Sequence, residues 1–237
     1  MEAERMNYTE MAEIMRNALG SKENPVAVTL FRDGSSIPSN LLEIEKPLRW
    51  CEMIQGARLR GETSFAHEPN HSCKGGAAGL GLLEMPENIS SGNLYFSKLN
   101  KVSSTGSGAK IVSSMPKQPV GTVATLATPL YKATMKPDVV IFVGNPLQAR
   151  RIVQAALYTD GGRVNMNTAG IQSFCIDATS SPILKGEVNI SLGCDGAAKN
   201  ANLEDSVVVV GIPFDMMEEI AGVLLERAEG WNKWMRP

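Results

Sequence analysis

The amino-acid sequence predicts an α/β or α+β fold: a mixed sheet with helices packed on it. Three observations carry this. Four β-branched, apolar runs near residues 25–31, 121–128, 139–143 and 206–210 have strand composition. Around them lie stretches whose apolar residues recur at helical spacing. Two stretches, Asp138 through Leu147 and Asp205 through Phe214, share one design: an apolar strand, a Gly-x-Pro turn and then helical spacing. A chain of 237 residues with 43% hydrophobic content is long enough for one large core. A single domain over 1–237 is expected, with two subdomains meeting near residues 100–120 as the other organisation.

In chain order, Met11, Ile14, Met15 and Leu19 repeat at helical spacing and Gly20 supplies a stop, so residues 8–19 form an amphipathic helix. Residues 25–31 then make a strand, closed by Arg32-Asp33-Gly34. Pro47 opens a helix to Ala57, with Trp50, Met53, Ile54 and Ala57 facing the core and Cys51 on the flank. Arg49, Arg58 and Arg60 read as a solvated face, with an anion site as the alternative. Residues 76–83 form a short helix. The Ser/Gly-rich stretch 100–109 reads as a linker. Val139-Val140-Ile141-Phe142-Val143 lacks alternation and is therefore buried on both faces. Residues 147–157 and 214–226 carry helical spacing after the two Gly-x-Pro turns. Neither turn has the glycine spacing that cradles phosphates, so nucleotide binding gains no support.

Net charge is −2 and the basic residues are scattered, so no electrostatic footprint for nucleic acid or an anionic membrane exists. The longest apolar runs are too short to span a bilayer, and Met1-Glu2-Ala3-Glu4-Arg5 is polar where a secretion signal would be basic and then apolar. A cytoplasmic protein is expected. In that reducing compartment Cys51, Cys73, Cys175 and Cys194 are free, metal-bound or catalytic rather than paired.

The most informative stretch is His71-Ser72-Cys73-Lys74-Gly75-Gly76-Ala77-Ala78-Gly79-Leu80-Gly81-Leu82. It sets one thiol on nearly bare backbone, just ahead of a helix start whose free N–H groups favour a thiolate. A tight turn with a buried structural Cys is the plain alternative. His67, His71 and Cys73 raise the question of zinc, although His-x3-His-x-Cys matches no standard spacing. Around Cys175 and Cys194 lie Asn, Ser, Thr and Gly, and Gly193 and Gly196 bracket Cys194. Asp177 so near Cys175 disfavours a thiolate unless Asn, Thr or Arg partners hold it.

Taken together, Pro25-Val26-Ala27-Val28, Leu48-Arg49-Trp50-Cys51-Glu52-Met53, Cys73 through Leu82, Val143-Gly144-Asn145-Pro146, Thr168-Ala169-Gly170-Ile171-Gln172 with Cys175, Ser191-Leu192-Gly193-Cys194 and Val210-Gly211-Ile212-Pro213 resemble the family known as domain of unknown function 169, found in archaea and anaerobic bacteria. The resemblance implies no settled activity. It implies cysteines kept at the positions of Cys51, Cys73, Cys175 and Cys194, often with Cys-x-x-Cys at the last. Ala197 stands here in the second position of that pair, against any mechanism that needs a vicinal dithiol.

Four thiols, each in a family-like segment, match the ligand count of an iron–sulfur cluster, either [4Fe–4S] or [2Fe–2S]. The leading expectation is a [4Fe–4S] protein with Cys51, Cys73, Cys175 and Cys194 as ligands. Gly75, Gly76 and Gly193 would offer backbone donors, and His71 would stand behind them. Electron transfer or redox-cofactor handling follows, with a redox partner protein and possible homo-oligomers. Two alternatives stand beside it. One is a pocket for a tetrapyrrole or other small molecule, with His71 or Cys73 as an axial ligand; the 5% aromatic content counts against it. The other is a cysteine enzyme with Cys73 as nucleophile, His71 as base and Asp177 or Asn167 as orienter.

Overall fold

The computed structural model describes residues 6–234, so the polar start Met1–Arg5 lies outside the described residues. The elements run α1 (Tyr8–Leu19), β1 (Val26–Arg32), α2 (Trp50–Arg60), β2 (Ser64–His67), α3 (Lys74–Gly79), α4 (Glu87–Ser90), a π-helical turn (Leu94–Lys98), α5 (Thr105–Ser113), β3 (Thr122–Pro129), β4 (Val139–Gly144), α6 (Pro146–Ala156), a π-helix (Ser173–Ser180), α7 (Ser181–Lys185), β5 (Asn189–Ser191), α8 (Asp195–Ala201), β6 (Val208–Pro213) and α9 (Met217–Trp234). The fold is α+β. Six strands form one sheet in the order β2-β3-β1-β4-β6-β5, and every pairing is antiparallel, where a mixed sheet was expected.

Strand alternation sorts the core into two layers. Val139, Ile141 and Val143 of β4 face one side together with Val26, Val28 and Leu30 of β1, against Trp50, Met53 and Ile54 of α2 and Phe174 and Ile176 of the π-helix. Val140 and Phe142 face the other side, against α1, α6 and α9 through Met11, Met15, Ile152, Met217 and Ile220. All six residues of β4 are buried, as its unbroken apolar run predicts.

Helix ends follow local chemistry. Asn7 caps α1 by accepting from the Glu10 N–H at 2.9 Å, and Gly20 ends it at φ 62°. Asn145 and Gln148 form a capping box on α6, with Pro146 in its first turn.

Three expectations shift. The α2 helix starts at Trp50 rather than Pro47, because Leu48 is held extended: its N–H donates to Asn70 O and its carbonyl accepts from Ser72 N–H, both at 3.0 Å. The supposed linker 100–109 runs into α5, capped by Ser104, which accepts from Ser107 N–H. The Gly-x-Pro echo is only partial. Gly144 ends β4, whereas Gly211 sits inside β6, paired with Ile141 and Asn189.

Candidate functional site

Four separate stretches, each carrying one cysteine, are tied together by hydrogen bonds beside their thiols. The Leu48–His71 bridge aligns the start of α2, with Cys51, alongside the approach to α3, with Cys73. Trp50 Nε1–H donates to Thr179 Oγ1 at 3.0 Å, joining α2 to the π-helix of Cys175. The Ser180 hydroxyl donates to Gly79 O at 2.8 Å, joining that π-helix to α3. Gln55 Nε2 donates to Ala201 O at 3.1 Å, joining α2 to α8, which Cys194 caps. The Ser173 hydroxyl reaches Cys194 Sγ at 3.2 Å.

The polar composition around Cys175 does not make a solvated loop, because Ser173–Ser180 form a π-helix. All eight of its residues are buried. Its polar side chains are affordable there because each is used. Thr179 donates to Phe174 O, Ser180 and Ser173 make the bonds above, and Asp177 Oδ2 accepts from the hydroxyls of Thr168 at 2.8 Å and Ser191 at 2.6 Å. The partners that Asp177 needs are therefore present, and they belong to the stretches that lead into Gln172 and Cys194. Burial still pushes the Asp177 carboxyl up to about 6, against these two bonds.

These ties bring all four sulfurs to one half-enclosed cavity of about 340 Å³. Its walls include Trp50, Phe174, Ile89, Leu94, Leu99 and Ile171. The glycines of α3 make room for it. A Cβ on Gly76 would lie 3.5 Å from Cys73 Sγ and 3.6 Å from Cys175 Sγ, and one on Gly75 would lie 2.7 Å from Gln172 Nε2. Cys175 is buried, while Cys51, Cys73 and Cys194 are partly exposed. Burial, then Cys73 and Cys194, drives the Cys175 thiol well above its ordinary range. Burial, then Cys194 and Cys73, pushes Cys51 up to about 12. With nothing bound, both are thiols.

Across the cavity stands Tyr95, from the π-helical turn at Leu94–Lys98. Its hydroxyl accepts from Gln172 Nε2 at 3.1 Å. Gln172 is a non-glycine residue at φ 58°, and its Oε1 is buried with no partner among the described residues. Such strain persists only where the surroundings over-determine it. Sequence reasoning missed both residues: no composition signal marks a glutamine with positive φ, and 94–98 shows no helical repeat. Both basic residues at the rim are paired, Lys101 with Asp195 and Arg49 with Glu52.

The other expected site residues are placed as follows. Gly75 and Gly76 line the cavity. Gly193 stands outside its lining, at φ 89°, with Leu203 Cδ2 2.9 Å from where a Cβ would be. His71 is buried behind Trp50, its Nε2 3.0 Å from Thr125 Oγ1 and its Nδ1 without a partner, and burial lowers it to about 4. No hydrogen bond joins His71 to Cys73 among the described residues. His67 faces Glu43 instead, so the two imidazoles and Cys73 engage three different neighbourhoods. Asn167 binds Asn189 through backbone and side chain. Each of the three arginines has a carboxylate: Arg49 pairs with Glu52, Arg60 with Glu62, and Arg58, buried rather than solvated, with Glu23 and Glu204. Ala197 is buried in the cavity wall.

A family model described as uncharacterised ArCR, DUF169, matches residues 14–222. The chain belongs to the DUF169 family. This DUF169 protein is also 36% identical over 208 residues to an uncharacterized protein of Methanocaldococcus jannaschii, MJ0308, covering 87% of this chain and 89% of that one. No solved structure matches. Among the described residues, no helix is long and apolar enough to cross a membrane.

Proposed function

We propose that this DUF169 protein binds an iron–sulfur cluster, of the [4Fe–4S] type, through Cys51, Cys73, Cys175 and Cys194. Its work would be electron transfer or redox-cofactor handling with a partner protein in an anaerobic cytoplasm. The supporting observation is the meeting of four cysteines from four distant stretches at one cavity.

The donor set fits such a group. Thiolates are the cluster's usual ligands, one to each iron, so they need not close on a single point. Among the described residues no group of three or more His, Cys, Asp or Glu side chains is arranged to hold a metal ion. Cys73 and Cys194 both stand as N-caps, and Cys51 lies in the first turn of α2, so three of the four thiols sit at helix starts. The Ser173 hydroxyl adds a donor at Cys194. Binding would displace the protons of Cys51 and Cys175, and iron would offset the burial, and after it the mutual repulsion, that keeps these two protonated. The bound cluster supplies one-electron chemistry. The chain's own part is to hold the sulfurs, donate to them and limit water.

The test is anaerobic purification or reconstitution with iron and sulfide, followed by iron and acid-labile sulfide analysis and visible absorption. Matching iron and sulfide, lost when Cys73 or Cys175 is changed to Ser, is the expected result. A colourless, iron-free protein after reconstitution refutes the proposal.

A further inference from the structure

Tyr95 brings to the cavity a hydroxyl donor that the protein itself does not use among the described residues. Tyr95 is 3% exposed, and its hydroxyl oxygen accepts from Gln172 Nε2 at 3.1 Å. Its own hydrogen has no acceptor among the described residues. A buried hydroxyl that keeps only part of its hydrogen bonding costs free energy unless something in the cavity completes it.

The direction of that unused hydrogen is constrained. Because Gln172 N–H occupies one lone pair, the O–H is left to point away from the amide. Gln172 is itself held in place: its backbone sits at φ 58°, and its amide lies so close to α3 that a Cβ on Gly75 would come within 2.7 Å of Nε2. Tyr95 lines the same cavity as Cys73, Cys175 and Cys194. The ring is anchored separately, packed with Ile89 and Val112. The hydroxyl is therefore held, by the Gln172 amide and by the packing of its ring, in the cavity that the sulfurs line. Sulfur atoms of a thiolate-ligated cluster are acceptors only, which is what this donor lacks.

We propose that Tyr95 donates its hydroxyl hydrogen to a sulfur of the bound cluster, oriented by Gln172, and thereby raises the cluster's reduction potential. The inference rests on the cluster reading above. Tyr95 is a positioning and tuning residue, since a hydrogen bond to sulfur withdraws electron density and favours the reduced, more negative state. Gln172 acts through Tyr95, which gives its strained backbone a purpose.

The experiment compares the reconstituted wild-type protein with Tyr95→Phe and Gln172→Leu, by redox titration and by electron–nuclear double resonance in deuterated water. Phenylalanine keeps the ring's packing and removes only the hydroxyl. The expected result is wild-type iron and sulfide content in Tyr95→Phe, a more negative midpoint potential, and loss of one exchangeable-deuteron coupling. Gln172→Leu, which frees the hydroxyl to rotate, falls between the two. Equal potentials and unchanged couplings in loaded wild-type and Tyr95→Phe protein overturn the inference while leaving the cluster reading intact. Failure of the wild-type protein to load counts against the cluster reading itself. Should neither variant load, wild-type protein carrying tyrosine labelled with a magnetic oxygen isotope in its hydroxyl decides the matter: coupling of that oxygen to the cluster is expected, and its absence refutes the contact.

Discussion

Gly211 is the position where one methyl group is expected to do most damage. It lies inside β6, and the π-helix that carries Cys175 rests on it. A Cβ there would run into the Ala178 carbonyl oxygen and come within 2.6 Å of Pro182 Cγ and 2.8 Å of the Ala178 carbonyl carbon. Neither a backbone carbonyl nor a proline ring has a rotamer to escape into, so the clash must be relieved by moving the helix off the sheet. Overpacking of this kind costs about 1–3 kcal/mol, and rigid neighbours put it near the upper end. Replacing glycine returns about 0.5–1 kcal/mol of backbone entropy, leaving Gly211→Ala about 2 kcal/mol less stable. With a urea m-value of about 3 kcal/mol/M, the unfolding midpoint falls by roughly 0.7 M. The control is the same substitution at Gly222 in α9, where only Met6 Cε lies within reach, at 3.8 Å. There the entropy term stands alone, and the midpoint rises. Equilibrium urea unfolding by circular dichroism measures both. A wild-type midpoint in Gly211→Ala refutes the idea that the glycine exists to let the π-helix lie against β6, and with it this account of how Cys175 is placed.

Three further outcomes follow from the site. In metal-free protein at mild alkaline pH, Cys73 and Cys194 react with iodoacetamide before Cys175, which is buried and held protonated, and before Cys51, pushed up to about 12; peptide mass mapping gives the order, and equal rates at all four would contradict it. Gly76→Val sets methyl groups against both Cys73 and Cys175 sulfurs, so the variant keeps its circular dichroism spectrum and loses iron loading; normal iron content would show that the guest lies elsewhere. Asp177 holds its proton more tightly folded than unfolded, so its contribution to stability is full below about pH 4 and is lost as pH rises to about 6. The move from 3.8 to about 6 corresponds to at most about 3 kcal/mol. Asp177→Asn keeps an acceptor for Thr168 and Ser191 and removes the charge, so metal-free protein gains stability above pH 6 and loses the slope below it in urea titrations across that range.

The four long strands were legible because β-branched runs have few other uses. The edge strand β5 and the outer strand β2 were not: they span three and four residues and carry Asn189, Ser191, Ser64 and His67. In α5 one of the two glycines that suggested a linker, Gly108, is there for packing, since a Cβ on it would lie 2.7 Å from Gly92 O. Composition cannot distinguish that use from flexibility. The cysteines and the bare backbone after Cys73 were legible as local features, and the four cysteines line one cavity. Their convergence was invisible, because it depends on bonds such as Trp50 to Thr179 and Gln55 to Ala201, between residues far apart in the chain. Tyr95 and Gln172 stayed hidden for the same reason.

The sheet order has a consequence for when the cavity can exist. β6, from Val208, is the strand that joins β5 to β4, and β5 leads directly into Cys194. A chain emerging from the ribosome has made Cys51 and Cys73 long before the strand that seats Cys175 and Cys194 is available. The four thiols therefore meet only after nearly the whole chain is synthesised and its last strand has paired. A group bound by all four would have to be delivered through the open side of a finished pocket, and once held it would link stretches from residue 51 to residue 194, restraining the unfolded chain in the way a set of crosslinks does.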